Sequence, residues 1–87
     1  MSFFVLEQNI PNPAANRTKI PYRVPDAGKA VLKIYSSVGQ LLYVGSQEAM
    51  TGDNIFEVPM LNLESGIYFY TLTYKGTSLT KKMIIQK

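Results

Sequence analysis

Acid–base or metal chemistry in this chain rests on six carboxylates: Glu7, Asp26, Glu48, Asp53, Glu57 and Glu64. The sequence has no His and no Cys. It therefore has no imidazole base, no Cys or His metal ligand and no Ser-His-Asp arrangement. Two carboxylates brought together by the fold could still act as an acid and a base, or as an acid and a nucleophile, as in glycosidases. Here the six are scattered and form no spaced motif. No glycine-rich phosphate loop is present either. The expectation is a domain with no catalytic residues, no metal and no cofactor.

The basic residues are placed unevenly. The net charge is +3. All six acids lie before residue 66, together with Arg17, Lys19, Arg23, Lys29 and Lys33. From Gly66 onward there are four lysines (Lys75, Lys81, Lys82 and Lys87) and no acid. A solvated basic face is the ordinary reading of such a run. The sharper one is an electrostatic handle for an anionic partner.

The elements that carry these charges follow from periodicity. TKIPYRV alternates Ile20, Tyr22 and Val24 against Lys19, Pro21 and Arg23, a strand pattern. Pro21 lacks an N–H, which predicts a sheet edge or an unpaired position there. PDAG reads as a turn ending at Gly28. KAVLKIYS puts Ala30, Leu32 and Ile34 on one face, and SVGQ, with Gly39, turns it into a hairpin with LLYVGS. QEAMTGDN reads as a loop. IFEVPM is a strand with Phe56 and Val58 on one face, and LNLESG a short connection with room for a helical turn.

IYFYTLTY is the strongest strand signal, with Tyr68, Tyr70 and Leu72 on one face and Ile67, Phe69 and Thr71 on the other. KGTS is a tight turn, and LTKKMIIQ is the last strand. With a short strand near Leu6, about seven strands at 8–12-residue spacing predict an all-β, immunoglobulin-like antiparallel sandwich, with a small barrel as the alternative. A chain of 87 residues fits one such domain. Residues 1–5 are read as an expression start or linker remnant, and residues 6–87 as the domain.

Three other readings are weaker. The aromatic run beside lysines has the composition of a single-strand nucleic-acid platform. A core strand with tyrosine hydroxyls at the rim explains it better, so no nucleic-acid partner is expected. No run of about 20 apolar residues exists for a membrane-spanning helix, and MSFFVLEQN lacks the basic start of a secretory signal. Asn16-Arg17-Thr18 matches a glycosylation sequon, a tripeptide common by chance.

Three blocks, read in order, carry a resemblance: LEQNIPNPAANRTKIPYRVP, AGKAVLKIYSSVGQLL and NLESGIYFYTLTYKGTSLTKKMIIQK. Together they resemble the type A C-terminal sorting domain of type IX secretion (the Por secretion system) in Bacteroidetes. The matching positions are Gln8-Asn9-Ile10-Pro11-Asn12-Pro13, then Ala30 to Tyr35 with Gly39-Gln40, then Leu63 to Leu72, then Thr80 to Met83. Departures are mild. NPAANRT replaces the commoner NPFNPST, Ala30 stands where Val is usual, and Phe56 and Val58 stand where the family often has Val and Trp.

The resemblance implies an address rather than an enzyme. Such a domain sits at the end of a covalently attached N-terminal cargo. It directs that cargo from the periplasm through an outer-membrane translocon to the cell surface or the medium. A sortase-like cysteine peptidase of the outer membrane commonly removes the domain, here at or before Phe3-Phe4. The ordered terminal hairpin is then expected to be read by a receptor. The residues assigned to recognition are Gly66, Lys81, Lys82, Met83, Ile84, Ile85 and Lys87, with Met83 as an adaptable apolar contact and Gly66 permitting the turn into the aromatic strand. Pro11, Asn12, Pro13, Gly28, Gly39, Tyr68, Tyr70 and Leu72 are assigned to structure. An isolated copy with a loosely held first strand is expected to swap it into a homodimer. The competing reading is a fibronectin-like or carbohydrate-binding module, which would tolerate loss of the C-terminal residues.

Overall fold

The computed structural model describes residues 3–59 and 62–87. Among them are seven strands and no helix: β1 (Val5–Leu6), β2 (Thr18–Val24), β3 (Gly28–Ser36), β4 (Leu41–Ala49), β5 (Gly52–Val58), β6 (Gly66–Tyr74) and β7 (Thr77–Ile85). They form two antiparallel sheets, ordered β1-β2-β5 and β4-β3-β6-β7. This is the expected sandwich of immunoglobulin-like type.

The alternation read from the sequence becomes the core. Ile20, Tyr22 and Val24 of β2, and Phe56 and Val58 of β5, face Ala30, Leu32 and Ile34 of β3, and Tyr70 and Leu72 of β6. Phe4, just before β1, packs on Tyr74 with ring centroids 5.4 Å apart. The β6–β7 turn is Lys75-Gly76, both at positive φ (45° and 81°), the mirror-image geometry that matches strand twist in a two-residue hairpin.

Three local expectations are corrected or refined. QEAMTGDN is not a loop, since β4 runs to Ala49 and β5 begins at Gly52. The Asn54 side chain closes this corner. Its Oδ1 accepts from Met50 N–H at 3.0 Å, and its Nδ2 donates to Met50 O at 2.7 Å. Asn and Gly marked a tight corner between sheets, not a long excursion. In LNLESG, Leu61 lies outside the described residues, and the rest carries no helical turn.

Of the two places expected for Pro21, the edge is not the one found: the residue sits in the central strand of its sheet, opposite Ile55 of β5, at a position left without its own donor bond. Its missing donor faces the other way, toward Glu7, whose N–H donates to Pro21 O at 3.0 Å. The return bond of that pair cannot form, so the carbonyl of Glu7 is left for another donor.

Candidate functional site

That donor is Tyr70. Its hydroxyl donates to Glu7 O at 2.7 Å and accepts from the buried Asn9 N–H at 2.9 Å. Burial is the main cause that pushes the phenol up to about 12; the Asn9 bond opposes this and the nearby Glu7 charge adds to it. Tyr68 and Tyr74 act similarly on the same face of β6. Tyr68 donates to Glu64 O at 2.7 Å, and Tyr74 to Asp26 O at 2.6 Å. Tyr70 and Tyr74 are thus core residues and Tyr68 packs half-buried against the core, and their hydroxyls tie down three different connections, as an amphipathic ring allows.

Tyr70 anchors a strap. After Asn9 the chain runs across the outer edge of β7, through Ile10-Pro11 and Asn12-Pro13, whose peptide bonds are both cis. The buried Asn9 amide donates to Pro11 O at 3.0 Å and Thr18 Oγ1 at 3.1 Å, fixing the bend. Gln8 Nε2 then donates to Lys82 O at 2.8 Å, and Asn12 Oδ1 accepts from Ile84 N–H at 3.0 Å. Ala14 N–H donates to Ile84 O at 2.8 Å and Ala14 O accepts from Gln86 N–H at 2.9 Å, a short parallel bridge. The first and last blocks of the sequence are therefore partners in space. This covering accounts for the order of the chain's final residues.

The covering is partial. Ile84 turns its backbone groups away from β6, so Ser78, Thr80 and Lys82, in phase with it, do the same. The strap reaches only as far as Lys82 O. Among the described residues, the N–H and C=O of Ser78 and Thr80, and the N–H of Lys82, remain open edge. Hydroxyl pairs hold this half onto β6: Thr71 with Thr80 at 2.8 Å and Thr73 with Ser78 at 2.7 Å.

The structure divides the residues assigned to recognition. Lys82 is exposed and Ile84 half-buried on the outer face of the sheet, while Lys81 lies half-buried at the sheet rim opposite Tyr70. Lys87 follows the strand, with its N–H on Ser65 Oγ at 3.0 Å. Met83 and Ile85 are different. They are core residues, 0% and 3% exposed, so their side chains anchor the strand and present no apolar surface outward. Alternation along β7 carried that signal. Gly66 has no positive φ, and a Cβ there would meet only Tyr68 Cε1 at 3.9 Å; the turn into β6 does not require glycine.

Among the structural assignments, Leu72 is fully buried. Gly39 lies at φ 88° in the β3–β4 turn, and a Cβ at Gly28 would press on Lys75 Cε and Tyr74 Cε1 at 3.1 and 3.2 Å. Pro11 and Pro13 frame Asn12 in the strap. Gln8, Asn9 and Thr18 gain roles that the sequence did not assign. Gln8 and Asn9 sit in a stretch without ladder strands, and Thr18 is a buried polar residue at the start of β2, so their side chains must bond somewhere. Nothing in the sequence says that the partner is β7.

A family model described as a secretion system C-terminal sorting domain matches residues 9–86, from the strap to the end of the covered edge. No curated protein and no solved structure shows significant similarity to the chain.

Proposed function

The chain belongs to the secretion system C-terminal sorting domains, signals that serve the type IX secretion system, and from that premise we propose that the translocon reads its folded closing hairpin. The single observation that carries this is the half-open edge of β7. Along the segment from Ser78 to Lys82, the N–H and C=O of Ser78 and Thr80 and the N–H of Lys82 are offered to an incoming strand, which is how sheet edges are commonly recognised. Lys81 and Lys82 place positive charge on either face of that edge and favour an acidic strand. Met83 and Ile85 hold the edge in place from the core.

The domain acts as an address and not as an enzyme. Its cargo precedes it in the full protein. A sortase-like peptidase of the outer membrane separates the two near Phe3-Phe4 or upstream and leaves the cargo at the cell surface. In isolation, β1, with only two residues, is the strand a second copy would take in exchange.

The test is export of a fluorescent periplasmic reporter carrying residues 4–87 at its C-terminus, in a Bacteroidetes host with this secretion system. The intact fusion is expected at the surface, and a folded Lys81→Ala/Lys82→Ala variant is expected to remain in the periplasm. Equal export of both would overturn the assignment. Removing Lys82 to Lys87 is a poor control, since it also deletes Met83 and Ile85 from the core.

A further inference from the structure

The two outer faces of the sandwich differ in how their cations are paired. On the three-stranded sheet, cations are paired: Lys19 with Glu57 at 3.7 Å and Arg23 with Asp53 at 2.9 Å. On the four-stranded sheet, Lys29 stands directly opposite Glu48. Lys33 and Lys82 have no acid opposite them; their neighbours across the strands are Val44, Thr71 and Phe69.

Between and beside these lysines lies exposed hydrocarbon. Strand register aligns Leu41, Tyr35, Phe69 and Lys82 in one row across all four strands. Ile67 and Ile84 pair in the next row. At a strand spacing of about 4.8 Å the row is roughly 14 Å long. Leu41, Ile67 and Phe69 are 47%, 48% and 36% exposed. Contiguous apolar surface rimmed by charge marks an interaction site more often than scattered exposure does.

We propose that this face docks a protein surface with an apolar centre and carboxylates placed opposite Lys33 and Lys82. The proposal rests on the sorting reading and extends it: the face adjoins the open edge through Lys82, so one translocon component would cover both. Charge selects the occupant. A second copy of the chain, at net +3, would set like charges against each other across an isologous contact. A glycan or a lipid phosphate needs convergent hydrogen-bonding groups, and this row presents mainly side-chain carbon.

The test uses the same reporter fusion with two changes. The first is Phe69→Thr/Lys33→Glu, at an exposed and a half-buried site on the outer face. Surface reporter is expected to fall at least tenfold while the melting temperature of the purified domain stays within a few degrees. The second is a photo-crosslinking residue at position 69, with position 55 on the opposite sheet as control. A protein adduct from position 69 alone, mapped to a segment with both apolar and acidic residues, is expected. Unchanged export with no adduct overturns the proposal. So does an adduct that is a second copy of the domain or a lipopolysaccharide. If the adduct forms but the intact fusion is not exported, the docking face stands and the sorting reading fails.

Discussion

The outer edge of β7 is treated in opposite ways at its two ends. From Lys82 O to Gln86 N–H it is closed, by the Gln8 side chain, the Asn12 side chain and the backbone of Ala14. From Ser78 to Lys82 N–H it is open. An exposed edge is a liability that natural sheets normally blunt. Closing one end while leaving the other open, with lysines beside it, separates two jobs on one strand. The closed half fixes the strand, and the open half is presented. Ordering the end of a chain requires partners, and here the partners come from the other end of the sequence.

The comparison can be broken most severely at the anchor. Tyr70→Ala removes a fully buried ring that also holds Glu7 and Asn9, a loss of about 3–5 kcal/mol. That approaches the whole stability of a small domain. A thermal melt followed by circular dichroism should lose its cooperative transition near room temperature. Tyr70→Phe keeps the ring and loses only the hydroxyl, leaving the buried Asn9 N–H without an acceptor, at roughly 1–3 kcal/mol.

The same phenol predicts a pH dependence. Its folded value, about 12, lies above the ordinary 10. Its contribution is therefore complete below pH 10 and is lost as the pH rises from 10 towards 12, because the unfolded chain ionises first. Denaturant melts of the wild type should weaken across that window, and those of Tyr70→Phe should weaken less. Equal slopes would mean that the hydroxyl is not held as described.

A milder change sharpens the contrast between the two ends. Asn12→Ala frees the Ile84 N–H, at roughly 0.5–1.5 kcal/mol. In native-state hydrogen exchange, the Ile84 and Gln86 amides of the wild type should be protected and those of Ser78, Thr80 and Lys82 fast. In the variant, Ile84 should join the fast group. The smallest effect belongs to Lys81→Ala/Lys82→Ala, whose stability should stay within about 0.5 kcal/mol of wild type. Only export should change.

Much of the fold was legible in the sequence because one face of each strand is buried. Alternation in TKIPYRV, KAVLKIYS and IYFYTLTY gave the strands and their inward residues, and turn residues gave most boundaries. Where the structure changes that reading, specific hydrogen bonds decide, some local and some long-range. Asn54 converts an apparent loop into a corner. Pro21 occupies a central strand because its missing donor faces the point where β1 ends. The site was legible only in part. The lysines and the terminal position of the hairpin were visible, but Met83 and Ile85 were assigned outward although the period of the strand puts them in the core. The strap itself is not legible, since the contact of Gln8 and Asn12 with a strand more than seventy residues away (74 and 72 respectively) leaves no local trace.

The most direct test of the half-open edge is Thr80→Pro. The Thr80 N–H points away from β6, so proline there should leave the β6–β7 ladder intact while removing the central donor of the open edge. Thr80→Ala controls for the lost hydroxyl bond to Thr71. Both variants should fold, the alanine variant should be exported like wild type, and the proline variant should be retained in the periplasm. Export of a folded Thr80→Pro domain at the wild-type level would contradict recognition through the edge of β7.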